Sequence, residues 1–139
     1  MNKIFFLVFV LLLSLSCSKT EEVKFQAFSP EAFAYDIGDS WEVNATVNVK
    51  GFSKIEKGNG THISLSYSVD LINPDGEVTK DIFSDNKEAN DKELTDVQLE
   101  AQFDLANTYP LGEYKVVFNI TDNNSKKNTT AQADFELEE

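Results

Sequence analysis

Apolar and polar residues alternate along most of this chain with a period of two. From Trp41 to Lys50 the odd positions carry Trp41, Val43, Ala45, Val47 and Val49, and the even positions Glu42, Asn44, Thr46, Asn48 and Lys50. Successive side chains of a strand point to opposite faces, so the pattern predicts a β-strand with one buried face. It returns in Ile63, Leu65, Tyr67, Val69 and Leu71, and again in Val97, Leu99, Ala101, Phe103 and Leu105. Tyr114, Val116, Phe118 and Ile120 form a fourth set, and Ala131, Ala133, Phe135 and Leu137 a fifth. Beyond the N-terminal apolar run, no stretch carries a helical period.

The punctuation between these runs agrees. Asn73-Pro74-Asp75-Gly76 is a turn sequence, with proline suited to its second position and glycine to its last. It joins the Ile63–Ile72 strand to a short one near Glu77–Phe83, as a hairpin. Asp122-Asn123-Asn124-Ser125 makes a polar turn between the last two strands. Gly51 to Gly60 reads as a loop, and Asp85–Glu93 as a charged connection crossing between sheets. One more strand is predicted within Val23–Phe28, with Phe33, Tyr35 and Ile37 capping one edge before Gly38. The number of strands and the turn spacing predict an all-β fold, an antiparallel Ig-like β-sandwich of about seven strands.

Pro110-Leu111-Gly112-Glu113-Tyr114 resembles the Pro-x-Gly-x-Tyr entry to the penultimate strand of Ig-like and fibronectin-type-III-like modules. That resemblance implies a corner tyrosine at Tyr114, its hydroxyl bonded back to nearby backbone. There is no Cys…Trp…Cys pattern, which excludes an antibody-type domain and leaves Trp41 as a core residue.

The N-terminus has a different character. Lys3 precedes an unbroken apolar stretch, Ile4 to Leu13, too short for the about 20 residues that span a bilayer core but suited to the apolar part of an export signal. Cys17 is the only cysteine in the chain. Ser14 and Ser16, or Ser16 and Ser18, would also satisfy an ordinary signal-peptidase site. Ser14-Leu15-Ser16-Cys17 resembles a bacterial lipobox, departing from it at Ser14, where an aliphatic residue is usual. Ser18-Lys19-Thr20-Glu21-Glu22 resembles the short surface-export signal of Bacteroidota lipoproteins. These resemblances imply a signal peptide at 1–16, a tether at 17–22 and one sandwich domain at 23–139. They imply lipidation of Cys17 and attachment to the outer membrane through that N-terminal lipid, as a palmitate-type acyl anchor. Ordinary cleavage would instead give a secreted or periplasmic protein.

Charge narrows the partners. The chain carries a formal charge of −12, with 24 acidic residues against 12 basic ones, all of them lysine. Cationic side chains supply most of the affinity for nucleic acid, so nucleic acid is excluded as a partner. The charge itself reads as solubility and mutual repulsion, or more sharply as a docking face for a basic partner or for calcium.

Candidate chemistry is sparse. No Gly-x-Ser-x-Gly elbow is present, and His62 is the only histidine, so neither a triad with a second base nor a multi-histidine zinc site can be assembled. Asp85, Glu88, Asp91, Glu93 and Asp96 could offer oxygen ligands to calcium. Their spacing fails the EF-hand pattern and Lys87 and Lys92 interrupt it, so a solvated segment is expected over 85–96. No catalytic residue, cofactor site or metal ligand is therefore assigned, and the chain does not read as an enzyme. Asn-x-Ser/Thr triplets begin at Asn44, Asn59, Asn119, Asn123 and Asn128. Phe52 and Phe83 fall off the main apolar faces; core or edge packing is expected for each.

The expected function is a non-catalytic, lipid-anchored cell-envelope protein whose Ig-like domain serves as an interaction or accessory module for an envelope protein or a glycan. The alternative is a periplasmic inhibitor or chaperone-like adaptor acting through the Gly51–Gly60 loop or an edge strand. A small hydrolase using a carboxylate dyad is a third.

Overall fold

The computed structural model describes residues 22–58 and 60–139. They form eight strands and no helix: β1 (Gln26–Asp36), β2 (Ser40–Lys50), β3 (Ile55–Lys57), β4 (Gly60–Ile72), β5 (Val78–Ala89), β6 (Asp96–Ala106), β7 (Gly112–Asp122) and β8 (Asn128–Leu137). The five alternating segments lie in β2, β4, β6, β7 and β8. Among the described residues, no helix is long and apolar enough to cross a membrane.

Two antiparallel sheets build a β-sandwich. One has the order β1-β2-β6; in the other β4 pairs with β7, β7 with β8, and both β3 and β5 pair with β4. The chain changes sheet after β2, after β5 and again after β6, so β2 and β6 are neighbours although two hairpins separate them. That Greek-key path is the Ig-like arrangement. The eighth strand is the short β3, which lies inside the segment expected to be a loop. It pairs with the start of β4, Ile55 opposite His62.

The apolar face of every alternating strand meets the others between the sheets. Val43, Val47, Leu65, Val69, Leu99, Val116 and Phe118 are fully buried there, and Trp41 closes one end. Each such aliphatic or aromatic side chain contributes about 1.5–3 kcal/mol by leaving water. Tyr114 is buried at the base of β7, its hydroxyl donating to the carbonyl of Pro110 at 2.7 Å, the corner its sequence context implies. Burial first, then the nearby Tyr109 and Asp75 charges, raise the pKa of this phenol.

Two carboxylates lie inside the fold. Asp122 is fully buried at the end of β7. It accepts the Ser53 N–H at 2.7 Å, the Asn124 N–H at 2.9 Å and the Ser125 hydroxyl at 2.9 Å, tying the β7–β8 turn to the connection after β2. Asp70, on β4, accepts the Asp81 N–H at 3.0 Å, the Lys80 ammonium at 2.9 Å and the Asn119 amide at 3.0 Å. Opposite Asp70 the pairing jumps from Val69–Phe83 to Leu71–Thr79, so residues 80–82 bulge from β5, with Asp81 at φ 52°. Burial acts to raise the Asp70 pKa, but the bonds from Asp81, Lys80 and Asn119 outweigh it and hold the carboxyl below its ordinary value.

Two further expectations are corrected. The strand after the Asn73–Gly76 turn does not stop near Phe83; β5 runs to Ala89, so Asp85, Lys87 and Glu88 are strand residues and the crossing is confined to residues 90–95. An edge strand needs no apolar face where both sides are solvated, and charges there discourage pairing with other chains. The first strand, expected within Val23–Phe28, begins at Gln26 but continues past Phe28 through Asp36, taking in Phe33 and Tyr35. A bulge interrupts it between Phe28 and Glu31, at Ser29 (φ 50°) and Pro30. Ahead of it, the Lys24 backbone lies against Gly51, whose φ is +73°.

Candidate binding surface

The turn between β1 and β2 decides what β1 shows to solvent. Gly38 and Asp39 form a two-residue loop closed by the Ile37 N–H donating to the Ser40 carbonyl at 3.0 Å. Pairing then sets Asp36 opposite Trp41, Ala34 opposite Val43 and Ala32 opposite Ala45. Paired residues share a face, so Ala32 and Ala34 turn inward with the core residues of β2. Phe33 and Tyr35 turn outward, 44% and 55% exposed, their rings edge to face at 5.4 Å and 66°. The sequence led us to expect a cap on one edge; both residues lie instead within strand β1, on its outward face. Phe28 lies on the same face but is half-buried, with the Lys50 ammonium 5.3 Å from its ring centre.

The outward neighbours of Phe33 and Tyr35 on β2 are Asn44 and Glu42, held together by the Asn44 amide donating to Glu42 Oε1 at 3.0 Å. Beyond them β6 presents Glu100 and Gln102. These residues and Thr46 enclose a shallow hollow of about 410 Å³ with the two rings at one side.

A second hollow, of about 430 Å³, lies where the edge strands β5 and β6 face each other across the sandwich without pairing. Phe83, Asp85 and Lys87 from β5 line it with Gln98, Glu100 and Gln102 from β6. Tyr67 lies at its floor, donating to the Glu100 carbonyl at 2.6 Å, with the Phe83 ring tilted 37° to its own at 6.1 Å. Burial, then the Asp85 charge, raise the pKa of Tyr67, keeping the phenol a donor.

A third, of about 420 Å³, lies on the outer face of the five-stranded sheet, lined by Ser66, Ser68, Ser84, Asn86, Asn119 and Thr121. Its hydroxyls and amides are ordered by one another. Asn123 Nδ2 donates to Ser64 Oγ at 2.9 Å and to Ser66 Oγ at 2.8 Å, and Ser66 Oγ donates to Asn86 Oδ1 at 2.8 Å.

Of the residues singled out from the sequence, Phe33, Tyr35, Asn44, Phe83, Asp85 and Asn119 line these hollows and the others fall elsewhere. Cys17 and Asn59 lie outside the described residues, as do the signal segment and all but the last residue of the tether. Half-buried His62 has Nδ1 3.1 Å from Asn90 Oδ1 and Nε2 3.9 Å from Glu88 Oε1. Asp85 and Glu88 occupy opposite faces of β5, Asp91 and Glu93 the following turn, and Asp96 the start of β6. Among the described residues no three His, Cys, Asp or Glu side chains are placed to hold a metal ion. Phe52 is buried in the core and Phe83 packs half-buried against it, as expected. Asn44 bonds to Glu42, Asn119 to Asp70, Asn123 to the serines of β4, and Asn128 Oδ1 accepts the Thr121 hydroxyl.

No family model matches the chain, and no curated protein matches it. Among solved structures it is similar to a family 123 glycoside hydrolase from Clostridium perfringens, studied for glycolipid glycan hydrolysis. The TM-score is 0.49 at 16% identity, over 78% of this chain and 22% of that one. The chain thus spans about a fifth of that structure's length.

Proposed function

We propose that this chain is a lipid-anchored cell-envelope protein whose Ig-like domain acts as a non-catalytic interaction module. The observation that carries the reading is the outward-facing pair Phe33 and Tyr35. Large apolar side chains leave water wherever a fold permits, and the neighbouring alanines of β1 occupy the inward positions these rings could have taken. Exposed aromatic side chains ringed by polar groups are the usual composition of a contact surface. The acyl chains expected on Cys17 supply the anchor: each buried methylene contributes about 0.8 kcal/mol, and two or more chains hold a protein stably.

The test has two arms in the native host. Fatty-acid labelling and membrane retention should both be lost in Cys17→Ala. A photo-crosslinking residue in place of Tyr35 should capture an envelope component, whereas the same residue in place of Gln132, exposed on the opposite sheet, should not. Equal capture from both positions, or from neither, would remove the surface from the proposal. Labelling that survives Cys17→Ala would remove the anchor.

A further inference from the structure

The three hollows are one track. Tyr67, Asp85 and Asn86 line both the outer-face hollow and the one at the β5–β6 edge, while Glu100 and Gln102 line both the edge hollow and the one beside Phe33 and Tyr35. A continuous band of surface therefore leaves the five-stranded sheet, turns over the open edge of the sandwich and ends on the aromatic pair. We infer that this band binds an uncharged polysaccharide, laid along it with a sugar ring against Phe33 or Tyr35.

The chemistry of the lining selects that occupant. Asn86, Gln98, Gln102 and Asn44 carry amides that both donate and accept, and Ser84 and Thr46 carry hydroxyls that do the same. A ligand that satisfies such groups must itself offer donors and acceptors side by side, as sugar hydroxyls do. An aromatic face is negative and attracts the electropositive C–H groups on the flat side of a pyranose. The hollows are open and shallow, which fits a chain held along a surface better than a small molecule enclosed in a cavity.

Charge removes the competitors. Asp85, Glu100 and Glu42 border the band against the single ammonium of Lys87, so a polyanion is repelled along its length. A second copy of this chain, at a formal charge of −12, would bring the same sign. Lysine and arginine side chains are donors only, and cannot serve the amide N–H groups that the band presents.

This inference rests on the interaction-module reading, and its test separates the two. The full chain, purified in detergent, is run on native gels containing mixed-linkage β-glucan, galactomannan, xylan or dextran, with polygalacturonate as the anionic comparison. Poly-lysine binding is followed by calorimetry. Retardation by at least one neutral polysaccharide is expected, unchanged when NaCl rises from about 0.05 to about 0.5 M. Replacing both rings, Phe33→Thr with Tyr35→Thr, should weaken it roughly tenfold, and Tyr35→Trp should retain it. Glu56→Gln with Glu113→Gln removes two exposed charges outside the band and should leave the retardation within about twofold.

No retardation by any of the four neutral polysaccharides overturns the inference. So does retardation indifferent to both ring substitutions, or salt-sensitive binding of poly-lysine alone. Should the Tyr35 crosslinker capture an envelope protein while no polysaccharide binds, the sugar is wrong and the module stands.

Discussion

The Tyr67 hydroxyl crosses from one sheet to the other and donates to the backbone carbonyl of Glu100 at 2.6 Å. The Phe83 and Phe118 rings lie 6.1 and 6.4 Å from its own. Tyr67→Phe removes the bond and keeps the ring, and should lower unfolding free energy by about 1 kcal/mol in urea titrations. Burial and then Asp85 raise this phenol's folded pKa above the unfolded value of about 10. The native state then holds its proton more tightly, so the stability is complete below about pH 10 and declines as pH rises through the folded pKa. The decline should be shallower in Tyr67→Phe, with Tyr114 contributing what remains; an identical alkaline limb would refute the desolvation of Tyr67.

Asp70 works in the opposite direction. Its folded pKa is depressed, so its contribution is present above the unfolded value of about 4 and is lost as pH falls through the folded one. Asp70→Asn should cost about 1–3 kcal/mol at neutral pH, because donors now directed at the carboxylate lose an acceptor. It should also flatten the acid limb of the stability curve. A variant as stable as the parent at neutral pH, with the same acid limb, would show that the carboxylate does not organise the β5 bulge.

Gly51 and Gly76 offer a paired comparison. Both have positive φ, +73° and +83°, which strains any residue with a Cβ. At Gly51 that Cβ would also lie 2.2 Å from the Lys24 carbonyl oxygen, while at Gly76 nothing lies within 4 Å. Gly76→Ala should therefore cost about 1 kcal/mol and Gly51→Ala more than about 2. Thermal unfolding of the two variants in the reverse order would contradict the packing of Lys24 on the end of β2.

The aromatic pair should matter little to the fold that presents it. Phe33→Thr and Tyr35→Thr, which keep a β-favouring residue, should each cost under about 1 kcal/mol, mostly the lost ring–ring contact. Phe118→Ala, in the core, should cost about 3–5. Denaturant titrations decide it: a loss above about 2 kcal/mol at either exposed ring would make the pair a structural brace.

The strands that alternate cleanly were legible because the core supplies one face of each, and the turn at Asn73–Gly76 because its residues have few other uses. β5 was only half legible: beyond Phe83 its side chains are solvated on both faces, and such a strand has the composition of a loop. β1 misled for another reason, being apolar on both faces, with Ala32 and Ala34 set against Phe33 and Tyr35. Their size and their place before Gly38 suggested a cap on one edge, yet parity counted back from Trp41 through the two-residue turn at Gly38-Asp39 puts both rings on the outward face of a strand. The rest of the surface has no sequence signature. Asn86, Gln98 and Glu100 are ordinary polar positions until the two sheets stack and bring their edges together.

The chain enters the sandwich where the Lys24 backbone rests against Gly51, and β1 climbs away from that point. At about 3.3 Å per residue, Tyr35 stands roughly 25–30 Å along the strand from Gln26. A tether fastened ahead of Glu22 would make the domain a stalk with its aromatic rings near the far pole. The greatest height of those rings above an anchoring bilayer would then be the length of that one strand plus the reach of the tether.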